Sequence, residues 1–195
     1  MSTLIIIMAS LTAIPICSKE ELLLSSLLKW FSNTSRFSIF IPIVTGKTTI
    51  SLRILDWFAT NYSKKHSTFI NKDVFLDYKN QLKGFSKKQF DPFCRRKRIF
   101  LIYEQKDGVY KFEIEHVDKI EDYEEREDGI LTTVGQLNFF RWCIRENIID
   151  YVFNNIKDIE KDMLDSVNKR NKSNKEFKAK KGAGKRRMRV VIDFN

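Results

Sequence analysis

The sequence predicts an α+β protein: helices packed beside a small, mostly antiparallel sheet, with a basic C-terminal tail. Three observations predict it. Residues 98–104 (RIFLIYE) and 109–115 (VYKFEIE) read as two strands and flank Asp107-Gly108, the dipeptide of a tight hairpin turn. Leu137, Phe140, Ile144, Ile148, Tyr151, Val152, Ile156, Ile159, Met163 and Val167 recur at helical spacing. The chain has 195 residues, 43% hydrophobic, with sixteen Phe, so it can bury a core and is not wholly disordered. Seven Gly and three Pro exclude collagen-like and Pro-rich classes. The sequence divides into an apolar N-terminal segment (1–17), a single α+β domain (18–167) and a Lys/Arg-rich extension (168–195).

In chain order, residues 4–16 are apolar except for Ser10 and Thr12, and thirteen residues are too few to cross a bilayer as a helix. Three readings of this run stay open: a buried strand or core segment, a membrane-associating or targeting segment, or an upstream extension with Met8 as the start. Ser18-Lys19-Glu20-Glu21 reads as a capping box, and the leucines after it form a short helix ending near Asn33. Residues 36–45 (RFSIFIPIVT) are β-branched and aromatic and predict a strand, with Pro42 placing it at an edge or bulge. A turn then leads to a largely buried helix over 50–65, capped by Thr48 or Thr49, on which Arg53 and Asp56 pair. Asp73 caps a helix over 73–85, and Asp91-Pro92 starts a turn. Thr133 and Gln136 form a capping pair that opens one long helix. It frays after about Asn168, and 187–194 (RMRVVIDF) returns as a terminal strand.

Lys and Arg number 35 against 25 Asp and Glu, a formal charge of +10 that favours an anionic partner. The excess is uneven. Residues 61–98 hold eleven Lys/Arg against three Asp, 113–128 hold nine Asp/Glu against Lys119 and Arg126, and 168–195 hold eleven Lys/Arg against Glu176 and Asp193. Two basic stretches are candidate partner or phosphate contacts: Arg95, Arg96, Lys97 and Arg98, and Lys175, Lys178, Lys180, Lys181, Lys185, Arg186 and Arg187 in a tail expected to be mobile. The acidic block either neutralises the first cluster within the molecule or meets a neighbour's basic surface. With Phe177 as the single aromatic among the tail's bases, stacking on single strands is not indicated there.

Residues that would carry chemistry are sparse. Gly46-Lys47-Thr48 resembles the end of a phosphate-binding loop, but Ile41 stands where that loop needs a glycine. Cys17, Cys94 and Cys143 are scattered, and His66 and His116 sit in no ligand motif, so neither structural zinc nor a disulfide framework is expected. The chain contains no GxSxG, HExxH or Walker signature. Asp56, Asp91 and Glu146 read as satisfied helix or turn carboxylates rather than general bases. The expectation is a protein without catalytic residues, cofactor or metal.

Three stretches together resemble a known group. They are 51–65 (SLRILDWFATNYSKK), 78–96 (YKNQLKGFSKKQFDPFCRR) and 132–142 (TTVGQLNFFRW). They are similar to uncharacterised proteins encoded by nucleocytoplasmic large DNA viruses, a group in which some small proteins are minor components of the icosahedral capsid. That resemblance implies a virion structural protein, a minor capsid component that links or cements neighbouring capsid proteins. Its implied partners are the major capsid protein and other capsid proteins, and its location is the virion, or the host cytoplasm during assembly. The alternative is a basic viral protein that binds nucleic acid through phosphate contacts.

Overall fold

The computed structural model describes residues 18–93, 97–123 and 126–183, the stretch 173–183 by its backbone course. It is an α+β arrangement in which helices cover one three-stranded antiparallel sheet of order β2-β1-β3. The strands are β1 (Ile99–Lys106), β2 (Val109–His116) and β3 (Gly129–Thr132). The expected hairpin is present: Asp107 and Gly108 both take positive φ (51° and 76°), and Lys106 pairs with Val109. The short β3 pairs with the start of β1. Sequence patterning does not reveal it, because its four residues come directly after the acidic stretch.

The first helix, α1 (Lys19–Phe31), carries the capping box in full: Glu21 N–H donates to Ser18 Oγ and Ser18 N–H donates to the Glu21 carboxylate. Residues 36–45 are not a strand. They lie in α2 (Thr34–Val44), whose cap Asn33 accepts the Arg36 N–H. Phe37, Phe40 and Ile43 recur every three residues and are almost wholly buried. Phe37 packs against Tyr103, Tyr110 and Phe112 of the sheet at centroid distances of 4.7–5.1 Å. That packing overrides the β propensity of the segment. Pro42 is tolerated in the last turn, where its missing N–H leaves one carbonyl of the preceding turn without a helical partner.

Gly46 (φ 68°) ends α2, and Gly46 and Lys47 donate their N–H groups back to Ile43 and Pro42 carbonyls. The Gly-Lys-Thr sequence is therefore a helix stop. The next helix starts later than expected, capped by Ser51 rather than Thr48 or Thr49. It runs as α3 (Leu52–Trp57), a π-helical turn (Phe58–Tyr62) and α4 (Ser63–His66) in one rod. Among the described residues no ion pair joins Arg53 to Asp56. Asp73 caps α5 (Val74–Phe85) as expected, accepting the Leu76 N–H at 2.8 Å.

The long C-terminal helix is three helices: α6 (Val134–Arg145), α7 (Ile148–Asn154) and α8 (Ile156–Ala183). Asn147 adopts the left-handed conformation (φ 57°), which Asn tolerates better than most residues, and Asn155 makes the second break. Apolar spacing continues through both breaks, so the periodicity conceals them. Thr133 caps α6 through the Gln136 N–H, while the Gln136 side chain accepts from Thr132 Oγ1 instead of closing a box. The fraying expected near Asn168 does not occur, since α8 continues to Ala183. The N-terminal run and the proposed terminal strand lie outside the described residues.

The core centres on α6, which buries eight of its twelve residues, including Phe139, Phe140, Trp142 and Cys143. Phe90 is wholly buried between Tyr78, Phe85, Phe139 and Trp142. The polar groups there are answered internally: Trp142 Nε1 donates to Asp77 at 2.6 Å, and Asn138 Nδ2 donates to the Gln89 carbonyl at 2.9 Å. Lys72 bridges Asp77 and Glu146, tying α5 to the end of α6. Glycine at 135 permits this approach, because a Cβ would lie 2.9 Å from the backbone oxygens of both Lys88 and Asp91. Gly135→Ala is accordingly expected to destabilise the protein by about 1–3 kcal/mol, although alanine is the better helix former. Gly84→Ala on α5 meets open space and is expected to stabilise by ~0.5–1 kcal/mol. Urea melts of the two variants would show shifts of opposite sign.

Candidate functional site: a cationic helix and two clefts

The expected contact residues fall on separate elements. Lys97 (φ 52°) stands just before β1, and its Nζ lies 2.9 Å from Glu20 Oε2 in the first turn of α1. Its charge is thus met by Glu20 and not by the acidic block. Arg98 accepts the Val117 N–H on its carbonyl, and it borders the cleft where α1 begins. Lys175, Lys178, Lys180 and Lys181 lie along α8. Arg95, Arg96, Lys185, Arg186 and Arg187 lie outside the described residues.

Within the acidic block, Arg126 carries much of the compensation. It makes a two-armed contact with Glu115 and another with Asp128, and its guanidinium sits 4.3 Å from the Phe100 ring centre. The Arg126 bonds hold the Asp128 carboxyl below its ordinary range. The negative stretch is partly neutralised beside the sheet.

The arm that carries the tail's charge is rooted in the body. Twenty-eight residues make α8 about 42 Å long at 1.5 Å per residue. Near its start Ile159 is fully buried, and Asp162 is 7% exposed. The Asp162 carboxylate accepts from Trp57 Nε1 at 3.1 Å and from Lys65 Nζ, with His66 Nε2 at 4.0 Å. Burial opposes its ionisation, but the bonds from Lys65 and Trp57 prevail and hold its carboxyl below the usual range. Beyond this anchor the character changes: 168–172 are all exposed. From Lys169 onward the sequence repeats lysine every third residue, as Lys169, Lys172, Lys175, Lys178 and Lys181. Between this root and the α3–α4 rod is a cleft of about 320 Å³ bordered by Trp57, Asn61, Lys65, Asp162, Ser166, Lys169 and Arg170.

A second cleft, of about 490 Å³, joins residues far apart in sequence: Asp56 and Thr60 from the rod, Tyr78 and Leu82 from α5, and Lys87, Asp91 and Phe93 after it. Two carboxylates read from the sequence as satisfied differ here. Asp91 accepts the Phe93 N–H at 2.9 Å and has Lys87 at 3.9 Å. No donor among the described residues reaches the Asp56 carboxylate. Burial, reinforced by the negative charge of Asp91 and only partly offset by Lys87, pushes the Asp56 carboxyl up to about 6. Burial likewise pushes the Tyr78 phenol up to about 12. Only the packing of the 86–91 turn on α6 brings Asp56 and Asp91 together, so no local pattern could have signalled the pair. Glu146 is satisfied as expected, by Lys72 and Arg145.

Among the described residues no group of three or more His, Cys, Asp or Glu could hold a metal ion, and no helix is long and apolar enough to cross a membrane. Cys143 is a buried free thiol, raised well above its usual range by desolvation.

The raised Asp56 pKa has a consequence for stability. Between about pH 4 and 6 the unfolded chain has released a proton that the folded protein still holds, so stability falls as pH rises through that window. Asp56→Asn is expected to raise Tm near pH 7.5 by about 2–4 °C, the shift for ~1 kcal/mol after allowance for solvent screening. Near pH 4 it should change little. Thermal melts at both values would check this, and equal shifts at both would refute it.

A model of a family described as "Family of unknown function (DUF7197)" matches residues 8–190, and the chain belongs to that family. A relative, "Uncharacterized protein L507" of Acanthamoeba polyphaga mimivirus, is 38% identical over 170 residues, covering 81% of this chain and 58% of that protein. The chain therefore spans less than two thirds of the relative's length. The likeness is to a protein of a large DNA virus. No solved structure matches the chain.

Proposed function

We propose that this family member is a non-catalytic assembly protein of a large DNA virus, a minor capsid component that links or cements neighbouring capsid proteins. The observation that supports the reading is α8. One helix is fixed to a packed body by Ile159 and Asp162, then continues as a lysine-rich run with Glu176 as its one carboxylate between 168 and 183. An arm of this kind suits an acidic face on a neighbouring subunit, and the major capsid protein is the partner proposed. The charge is concentrated on one element, which favours oriented contact over diffuse attraction. The protein would act in the virion, and in the host cytoplasm during assembly.

A second reading, a nucleic-acid-binding protein, is favoured by the cleft at the root of α8, which Trp57 borders from the rod and Arg170 from α8. Cross-linking mass spectrometry on purified particles of the encoding virus separates the two. The expected result is cross-links from Lys172 and Lys175 to the major shell protein. Replacing Lys175, Lys178 and Lys181 with Glu should reduce particle association about tenfold or more, the effect of reversing several interfacial charges. Absence of the protein from particles would overturn the assembly reading.

A further inference from the structure

We propose that the cleft between the α3–α4 rod, α5 and residues 87–93 binds an organic cation, an ammonium or guanidinium group on an aliphatic stem, with Asp56 and Tyr78 as its recognition groups. This goes beyond the assembly reading and stands whether or not the protein is packaged.

The first argument is which polar groups the fold leaves unanswered. The protein meets two other buried carboxylates with a pair of donors each: Asp77 has the Trp142 N–H and Lys72, and Asp162 has the Trp57 N–H and Lys65. Asp56 has no such donor among the described residues, and burial together with Asp91 raises its carboxyl to about 6. The Tyr78 hydroxyl at the same cleft has no hydrogen-bond partner among them either. Tyr78 is only 9% exposed, and its ring is held against Phe90 and Trp142 at centroid distances of 6.0 and 5.8 Å. The negative charges of Asp56 and Asp91 both act on its phenol, so the hydroxyl is the end that faces the cleft. A half-buried carboxylate that costs the fold stability and ties no element together is the kind of local conflict that proteins keep at functional sites.

The second argument is the charge that fits. Asp56 and Asp91 oppose Lys87, whose side chain is 84% exposed and whose Nζ stands 3.9 Å from Asp91. That is a surface pair of little strength, and its long stem is free to swing into solvent. The Phe93 N–H holds Asp91 in place through Oδ1. Thr60 is already engaged, its hydroxyl donating to the Asp56 backbone carbonyl. What remains is a set of acceptors, namely the two carboxylates and the phenol oxygen. An ammonium or guanidinium carries donors alone and suits such a set.

The third argument separates an organic cation from a metal ion. The cleft measures about 490 Å³, within the ~300–1,000 Å³ of ligand pockets. Leu82 and Phe93 give it an apolar wall, and Phe93 is 46% exposed there. An aliphatic stem would cover that wall, as the stems of Lys and Arg cover apolar surface elsewhere. A bare ion would leave it in water, and the cleft offers two carboxylates where a protein-held metal site needs more ligands.

The test is isothermal titration calorimetry of the full chain near pH 7.5 with agmatine, a guanidinium and an amine on one aliphatic stem. The expected result is binding with a Kd below ~1 mM. Asp56→Asn should weaken it at least about tenfold, and Tyr78→Phe about threefold or more, as for hydrogen bonds to a charged group. Asp56→Asn is the variant expected to gain Tm at this pH, so its loss of binding would not be a loss of fold, and Tm is measured for both. Lys87→Ala removes the competing cation and should tighten binding, whereas Lys88→Ala, an equal change of charge outside the cleft, should not. N-acetyl-arginine methylamide distinguishes the source of the cation. Tighter binding than agmatine points to an arginine side chain of a partner, and weaker binding points to a free amine. No binding of agmatine, wild-type affinity in Asp56→Asn, equal tightening by the two lysine changes, or equal affinity for 1-pentanol would each overturn the proposal. So would displacement of agmatine by an equal concentration of magnesium, because the site would then be one for a metal ion. None of these results bears on cross-linking to the capsid.

Discussion

The fold depends on burying α6 on nearly every side. A helix so enclosed cannot leave polar groups to solvent, and each one here has a protein partner: Asn138 reaches the Gln89 carbonyl, Trp142 reaches Asp77, and the first turn is closed by Thr133. These bonds are directional, so they fix the rotation and height of the helix where hydrophobic contact alone would allow sliding. Gly135 completes the constraint by letting the 88–91 backbone come within a distance that no Cβ would permit. Other positions are set by α6 in turn. The turn pressed on it sets Asp91 opposite Asp56, and Asp77, held by Trp142 and Lys72, orients α5.

Charge is distributed by the same logic. Where the body is dense, opposite charges meet locally: Lys97 with Glu20, Lys72 with Asp77 and Glu146, Arg126 with Glu115 and Asp128. Exposed pairs of this kind add little stability. Their effect is to cancel fields near the sheet and the core. The excess of +10 therefore belongs mainly to the C-terminal residues from 168 onward, not to a uniformly positive surface.

The sequence shows best those features decided within a few residues. The Asp107-Gly108 turn, the Ser18 capping box and the Asp73 cap all depend on local backbone chemistry, and all three are where the pattern puts them. Segment 36–45 fails because its β-branched and aromatic composition suits either state. The choice was made by Phe37 and Phe40 finding aromatic partners on the sheet and on α1 and α6. The breaks at Asn147 and Asn155 are hidden because each turn restarts the helix in phase with its apolar stripe. The clefts were hidden for a different reason. Trp57 meets Asp162 across 105 residues, and no spacing rule reaches that far. The cationic content of the tail could be read. That its helix begins inside the core could not.

That root gives α8 a physical character its composition alone would not. Like charges three or four residues apart on a helix repel, so a lysine at every third position opposes the helix that carries it. Rooting the first turns through Ile159 and Asp162 provides a nucleus, and propagation from a nucleus is far less costly than nucleation. An anion bound along the arm removes the repulsion that remains. Binding and helix stability are then linked, because whatever neutralises the lysines favours the helical form by its difference in affinity for the two states. Such an arm is selective for anions that lie along a helix, whether an acidic protein face or a chain of phosphates. The packed body, by fixing where the helix starts, determines the direction in which that anion is met.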